Sequence, residues 1–324
     1  MNVVVIKGMT LPDVSETEVA AIAEAAGPDA RVTVVDSVKD AAALASIGTT
    51  EVVLGVMPAK LLAAMPALRW VHATASGVDM FMYPEFVSSD IILTGEKGLV
   101  GGHLADHGFG LLLALTRQIH TAIRLGREAW ASREAMRAVE IELEGLTMGI
   151  IGFGGTGRAT ARRAVAFGMP VIALDELDVA PGDGVDEVWP RSRLDELVGR
   201  CDVVAICCPL TKATENLFDD RLFAAMKPGA ILMNVTRGEV VDGDALVRAL
   251  ASGHLGGAAL DVMAGEPLSA EHPIWGFDNV VMTPHTAGAS QYRAGRNVAR
   301  FVGNLRRYRV GEALEGIVDK VAGF

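Results

Sequence analysis

Residues 147–175 constrain the fold more than any other stretch. An apolar run, Met148 to Ile151, reads as a buried strand, and Gly152-Phe153-Gly154-Gly155-Thr156-Gly157 follows it as G-x-G-x-x-G. The helix expected next, about Thr156 to Phe167, is bounded by Gly168 with Pro170 just beyond, a C-cap and a stop signal. A second strand, Val171 to Leu174, then delivers Asp175. In such a unit Gly152 permits the tight turn, Gly154 lets the backbone approach a pyrophosphate, and Gly157 lets helix and strand pack closely. The helix start offers free N–H groups and a positive dipole end to phosphates, with Gly155 and Thr156 nearest. Asp175 would accept hydrogen bonds from the adenosine ribose hydroxyls and repel a 2′-phosphate. Glu176 follows it and no arginine lies nearby in the sequence, so NAD is expected rather than NADP. A lone glycine motif is a weak signal. Strand, glycines, helix, strand and acid arriving in order make a strong one.

A chain of 324 residues has room for two domains, each with its own core. Half of the residues are hydrophobic and 36 are glycine, which suits α/β architecture with many tight strand–helix turns. The formal net charge of −11 repels nucleic acid and anionic membranes, so neither is an expected partner. Only Cys201, Cys207 and Cys208 carry thiols, without C-x-x-C spacing, which argues for a reducing cytoplasm and against a disulfide frame or cysteine zinc site. No apolar run approaches the ~18 residues that span a bilayer, and the N-terminal Met-Asn-Val-Val-Val-Ile-Lys reads as a strand, so a soluble cytoplasmic protein is expected. His103 and His107, at i and i+4, could be half of a zinc site; no third ligand is suggested and no metal is expected.

The first hundred residues alternate short apolar strands (Val3–Ile6, Val32–Val35, Val52–Val56, Leu68–Ala73, Ile91–Thr94) with helical segments (Glu16–Ala26, Val38–Ser46, and one with Pro58 at its first position). Residues 101–129 read as one long helix crossing into the next domain, with Gly101, Gly102, Gly108 and Gly110 set for close packing. The nucleotide unit continues through strands at Val203–Cys207, Ile231–Val235, Ala258–Val262 and Val280–Met282. A last helix, from Gln291 onward, carries Arg293, Arg296, Arg300, Arg306, Arg307 and Arg309, read as a solvated face that meets acidic neighbours. The expected architecture is α/β: two doubly wound parallel-sheet, Rossmann-like domains with a cleft between them. Residues 1–100 and 287–324 would form a discontinuous substrate-binding domain, and 101–286 the NAD-binding domain.

The reaction is suggested by the second half. Asn234-Val235-Thr236-Arg237-Gly238-Glu239-Val240-Val241-Asp242 resembles the N-x-x-R-G-x-x-V-D segment of the D-2-hydroxyacid dehydrogenase family. Gly257-Ala258-Ala259-Leu260-Asp261-Val262, with Glu266-Pro267, resembles its G-A-x-L-D-V and E-P segments. Thr283-Pro284-His285-Thr286-Ala287-Gly288 resembles T-P-H-x-A-G, and Cys208-Pro209-Leu210-Thr211 matches its P-L-T turn. The resemblance covers most of the chain and is strongest from 145 to 290. It implies Arg237, Glu266 and His285 as the catalytic trio. It further implies cofactor contacts at Cys208, Pro209, Val235, Thr236, Arg237, Asp261, His285 and Gly288, with Asp261 on the nicotinamide carboxamide. The loop Ala73 to Asp79 is similar to the family's strand-following loop, whose N–H groups at Ser76 and Gly77 would hold the substrate carboxylate with Arg237 and His285 as further substrate contacts. A homodimer is also implied.

The chemistry independently needs those residue types. Reducing a 2-keto acid takes a cation for the carboxylate and keto oxygen, a proton donor active near neutral pH, and an acid behind that donor. Singly, Arg237 could cap a carbonyl or meet Asp242, Glu266 could be an exposed turn residue, and His285 could be structural. Jointly they point to an NAD-dependent dehydrogenase of a small 2-hydroxy acid, D-configured by resemblance. The domains would close over the cleft during hydride transfer. Two alternatives use the same scaffold: a non-enzymatic NAD-sensing binding protein, and a formate- or phosphite-type dehydrogenase.

Overall fold

The computed structural model describes all residues, 1–324, and divides into two compact units, Met1–Val100 with Ala289–Phe324, and Gly101–Gly288. No helix is long and apolar enough to cross a membrane.

The first unit is built on a parallel sheet of β1 (Asn2–Ile6), β2 (Arg31–Val35), β3 (Val52–Leu54), β4 (Trp70–His72) and β5 (Ile92–Thr94), in the order β2-β1-β3-β4-β5. Parallel strands need crossovers, and α1 (Glu16–Ala26), α2 (Val38–Ala42), α3 (Ala59–Leu62) and α4 (Pro84–Val87) supply them. Ser15 and Glu18 form a reciprocal capping box at the start of α1. The C-terminal helix, Arg293–Val310, lays Val298, Phe301 and Leu305 against Val3, Val5 and Trp70. Several of its arginines meet acids: Arg300 and Arg307 reach Glu315 at 3.2 and 2.8 Å, and Arg293 reaches the buried Glu96. Two local expectations shift. Helix α2 stops at Ala42 rather than Ser46, and Pro58 is extended (ψ 153°), so it is the residue before α3 rather than its first.

In the second unit α5 (Gly101–Thr116), α6 (Ile119–Leu125) and α7 (Arg133–Ala138) precede seven parallel strands. The expected single helix over 101–129 is broken, because Gln118 adopts φ 54° and the side chains of Gln118 and His120 cap the carbonyls of Leu115 and Ala114. Gly101 and Gly108 are close-packed, whereas a Cβ on Gly102 or Gly110 would meet nothing within 4 Å, so only half of that glycine expectation holds. The strands are β6 (Met148–Ile151), β7 (Val171–Asp175), β8 (Val188–Pro190), β9 (Val203–Ile206), β10 (Ile231–Asn234), β11 (Gly257–Leu260) and β12 (Val280–Met282). Helices α8 (Gly155–Ala166), α9 (Leu194–Arg200), α10 (Asp220–Ala225) and α11 (Gly243–Ala251) connect them. Read from β8, the order is β8-β7-β6-β9-β10-β11-β12. The chain reverses direction across the sheet between β6 and β9, the switch point at whose carboxyl ends such sheets bind ligands.

Candidate active site

The glycine loop leaves β6 at that switch point. Gly152 has φ 94°, and a Cβ there would stand 2.7 Å from the Cys208 Cα; at Gly157 it would stand 2.1 Å from the Gly152 carbonyl oxygen. Each position therefore excludes any side chain. Gly154, by contrast, borders open space, so the backbone there is approachable from outside. The N–H groups of Gly155, Thr156 and Gly157 begin α8 and, like those of any first helical turn, have no partner within the helix. Asp175, at the end of β7, accepts from the Phe153 N–H at 2.6 Å and the Leu177 N–H at 2.9 Å, which fixes its carboxylate beside the loop. Cradle, exposed donors and acid fit a bound dinucleotide.

One sequence expectation fails here. No arginine lies near Asp175 along the chain, but β8 pairs with β7 (Asp175 opposite Pro190), and the residue after Pro190, Arg191, binds Glu176 at 2.8 Å. Strand pairing brings together residues that the sequence keeps apart. Cys207 and Cys208 follow β9 and are buried, and that burial pushes both thiols up to about 12. Their main chain, not their sulfur, faces the glycine loop.

Three loops at the ends of β10, β11 and β12 carry the other candidates. Asn234 anchors the first: its Nδ2 donates to the Arg237 carbonyl at 2.8 Å, and its Oδ1 accepts from the Thr236 N–H at 3.1 Å. Gly238 lies so close to the next loop that a Cβ would fall 1.9 Å from the Met263 carbonyl carbon. The glycine of R-G thus permits contact between the Arg237 and Glu266 loops. Asp242 does not meet Arg237; it caps α11 through the N–H groups of Asp244 and Ala245.

In the second loop Glu266 Oε1 accepts from the Met263 N–H at 2.9 Å, and its Oε2 lies 2.7 Å from His285 Nδ1. In the third, His285 holds φ 54°, a conformation costly for a non-glycine residue and imposed by its surroundings. Those surroundings are Asp261. Its carbonyl accepts from the His285 N–H, and its buried carboxylate accepts from the Thr283 hydroxyl (2.6 Å) and the N–H groups of Thr286 and Ala287. His107 Nε2 adds a contact at 2.7 Å to Thr283 Oγ1. This support of the His285 turn by Asp261, Thr283 and His107 was not expected from sequence; the pairing of β11 with β12 creates it. Val235, Thr236 and Gly288 lie in the same loops. Ser76 and Gly77 lie in the first unit, in the loop after β4, where no acceptor within that unit takes the N–H groups of Ala75, Ser76 or Gly77.

A glycine cradle at the switch point, an acid at the second strand and a glutamate-backed histidine together define a dinucleotide-dependent oxidoreductase. Residues 109–287 match the family model described as D-isomer specific 2-hydroxyacid dehydrogenase, NAD binding domain. A glyoxylate reductase of Korarchaeum cryptofilum (strain OPF8) is 34% identical over 301 residues, covering 90% of this chain and 87% of that protein. The crystal structure of the TT0316 protein from Thermus thermophilus superposes with a TM-score of 0.78 at 30% identity, covering 98% of this chain and all of that one. The NADPH-dependent glyoxylate/hydroxypyruvate reductase of Sinorhizobium meliloti, in complex with NADP and sulfate, gives 0.78 at 27% identity, covering 100% of this chain and 99% of that one. The chain belongs to the D-isomer specific 2-hydroxyacid dehydrogenase family. It is an oxidoreductase of hydroxy and keto acids that uses a nicotinamide dinucleotide.

Proposed function

We propose that the protein reduces a small 2-keto acid to the D-2-hydroxy acid with NADH, and runs the reverse with NAD, using His285 as acid and base. The observation that carries this reading is the 2.7 Å contact between His285 Nδ1 and a Glu266 whose other oxygen is anchored on main chain. Glu266 accepts a hydrogen bond from Nδ1–H and fixes the tautomer, which leaves Nε2 as the atom that exchanges a proton with substrate. In reduction His285 delivers that proton to the keto oxygen, and Glu266 stabilises the imidazolium beforehand. In oxidation Nε2 takes the hydroxyl proton. Arg237 binds the carboxylate and polarises the keto group, and the N–H groups at Ser76 and Gly77 hold the carboxylate. The nicotinamide, when bound, supplies the hydride at its C4.

On this reading residues 1–100 and 287–324 bind substrate, and 101–286 bind the cofactor. Gly154, Gly155, Thr156 and Gly157 take the pyrophosphate. Cys208, Pro209, Val235, Thr236 and Gly288 line the remainder, with Asp261 toward the carboxamide. NAD is favoured over NADP because the Asp175 carboxylate occupies the position where a 2′-phosphate would arrive, and Glu176 already engages Arg191. We further infer a cytoplasmic homodimer. The supports are three unpaired thiols and a row of exposed apolar side chains, Ile123, Trp130 and Val139, on the α6–α7 segment.

The test is nicotinamide oxidation with a panel of 2-keto acids, comparing wild type, His285→Ala and Asp175→Ala with both NADH and NADPH. Turnover lost in the first variant with NADH binding retained, and NADH affinity weakened in the second, supports the reading. NADH binding without turnover of any keto acid would sink it and favour a sensor or a formate-type enzyme.

A further inference from the structure

The first unit buries an ionised cluster that the reaction does not use directly. The Glu96 carboxylate is 0% exposed. Arg293 Nε lies 3.1 and 3.0 Å from its two oxygens and Nη2 2.5 Å from Oε2, while Asn297 Nδ2 donates to Oε1 at 3.0 Å. Arg293 and Asn297 sit one turn apart near the start of the C-terminal helix.

Docking that helix does not require the cluster. Val298, Phe301, Val302 and Leu305 already bury an apolar face against Trp70, Val3, Val5 and Leu54. A buried ion pair is on balance close to neutral for stability, because desolvation offsets its attraction. Besides the helix, the cluster touches the loop after β4. The Glu96 N–H donates to the Ala75 carbonyl at 3.4 Å, Asn297 Nδ2 approaches the Ala73 carbonyl at 3.5 Å, and the Ala73 N–H donates to the Thr94 carbonyl at 2.7 Å. Gly95 admits this approach, since a Cβ there would lie 3.1 Å from the Ala75 oxygen. The carbonyls of the loop are thereby tied down on the cluster's side, and the N–H groups of Ala75, Ser76 and Gly77 are left without an acceptor in the unit.

We propose that Glu96, Arg293 and Asn297 are positioning residues that hold the main chain of 73–77 in the form that binds the substrate carboxylate. The inference rests on the reading of that loop given above. A carboxylate bound by two or three amides needs them convergent, and small misplacements of such groups cost binding and rate steeply. The cluster supplies a buried base, in which both Glu96 oxygens are hydrogen-bonded, that limits rotation of the loop.

The experiment compares wild type, Glu96→Gln and Glu96→Gln/Arg293→Gln. It measures keto-acid KM and kcat, NADH binding, calorimetric binding of oxamate (a keto-acid isostere) to the enzyme–NADH complex, and thermal midpoint. The expected result is a rise of about 10-fold or more in keto-acid KM and oxamate Kd, with NADH Kd within about twofold of wild type. The double variant should recover the thermal midpoint but not the KM. If it recovers both, or if Glu96→Gln lowers only the midpoint, the cluster is merely structural and the proposal falls. If wild type itself neither turns over keto acids nor binds oxamate, the substrate reading fails instead, and the two failures are distinguishable.

Discussion

At the residue scale, chemistry is set by what each side chain is denied. Cys207 and Cys208 sit where a reactive nucleophile would be sought, yet burial holds both thiols at about 12. At about pH 8 the thiolate fraction is then on the order of one in ten thousand. The native protein should therefore leave a disulfide reagent unconsumed for hours and react with three equivalents once denatured. Rapid native labelling would contradict the packing around them. Asp175 is the opposite case, an acid aimed outward by two main-chain donors. Asp175→Ala should raise the NADH Kd about 10-fold or more, the worth of a charge-assisted hydrogen bond, and narrow the gap between NADH and NADPH. Equal loss with both cofactors in a binding titration would remove Asp175 from the ribose.

At the scale of elements, the sequence was legible wherever a periodic pattern carried its own stop signals. Met148–Ile151, Glu16–Ala26 and Val280–Met282 begin and end at the expected residues, and each glycine of the nucleotide motif meets its steric reason. Legibility failed where the deciding contact is distant in sequence. The break at Gln118, the Arg191 contact with Glu176, and the Asp261–Thr283–His107 support of His285 all depend on which strands and helices lie side by side. The glycines of α5 show the same limit, since spacing alone does not tell a packed position from an open one. A Cβ at Gly101 would stand 2.3 Å from the Gly155 carbonyl oxygen, whereas one at Gly102 meets nothing. Gly101→Ala should destabilise the protein by about 2 kcal/mol or more and disturb the glycine loop. Gly102→Ala should stabilise it by about 0.5–1 kcal/mol. Urea titrations of the two variants check this, and equal effects would mean that α5 does not rest on the loop.

At the scale of the whole molecule, stability depends on groups that take no part in the proposed chemistry. His72 is fully buried, with Nδ1 2.6 Å from Thr94 Oγ1; burial, reinforced by the nearby Arg300, holds it at about 3. Above the unfolded value of about 6.5 neither state carries the proton. Between there and about 3 the unfolded chain binds a proton that the native protein refuses, so stability falls as pH falls, by about 1.4 kcal/mol per unit. His72→Gln should flatten that acid limb, recovering about 2 kcal/mol of the difference between denaturant titrations at about pH 7 and about pH 5. An unchanged limb would assign the acid sensitivity elsewhere. The proposed dimer is tested by replacing Ile123 and Trp130 with glutamate, which should convert it to monomer in sedimentation, whereas wild-type sedimentation as a monomer would contradict the proposal.

The hydride itself gives the most direct test of the reaction. NADH carrying deuterium at both C4 positions is supplied with a 2-keto acid, and the product is analysed for label and configuration. The mechanism predicts one deuterium at C2 of the D-2-hydroxy acid from wild type. It predicts product formation slower by about 10²–10⁴-fold with His285→Ala, in which the proton donor is gone but the label position is unchanged. Unlabelled product, the L-isomer, or an undiminished rate without His285 would contradict it.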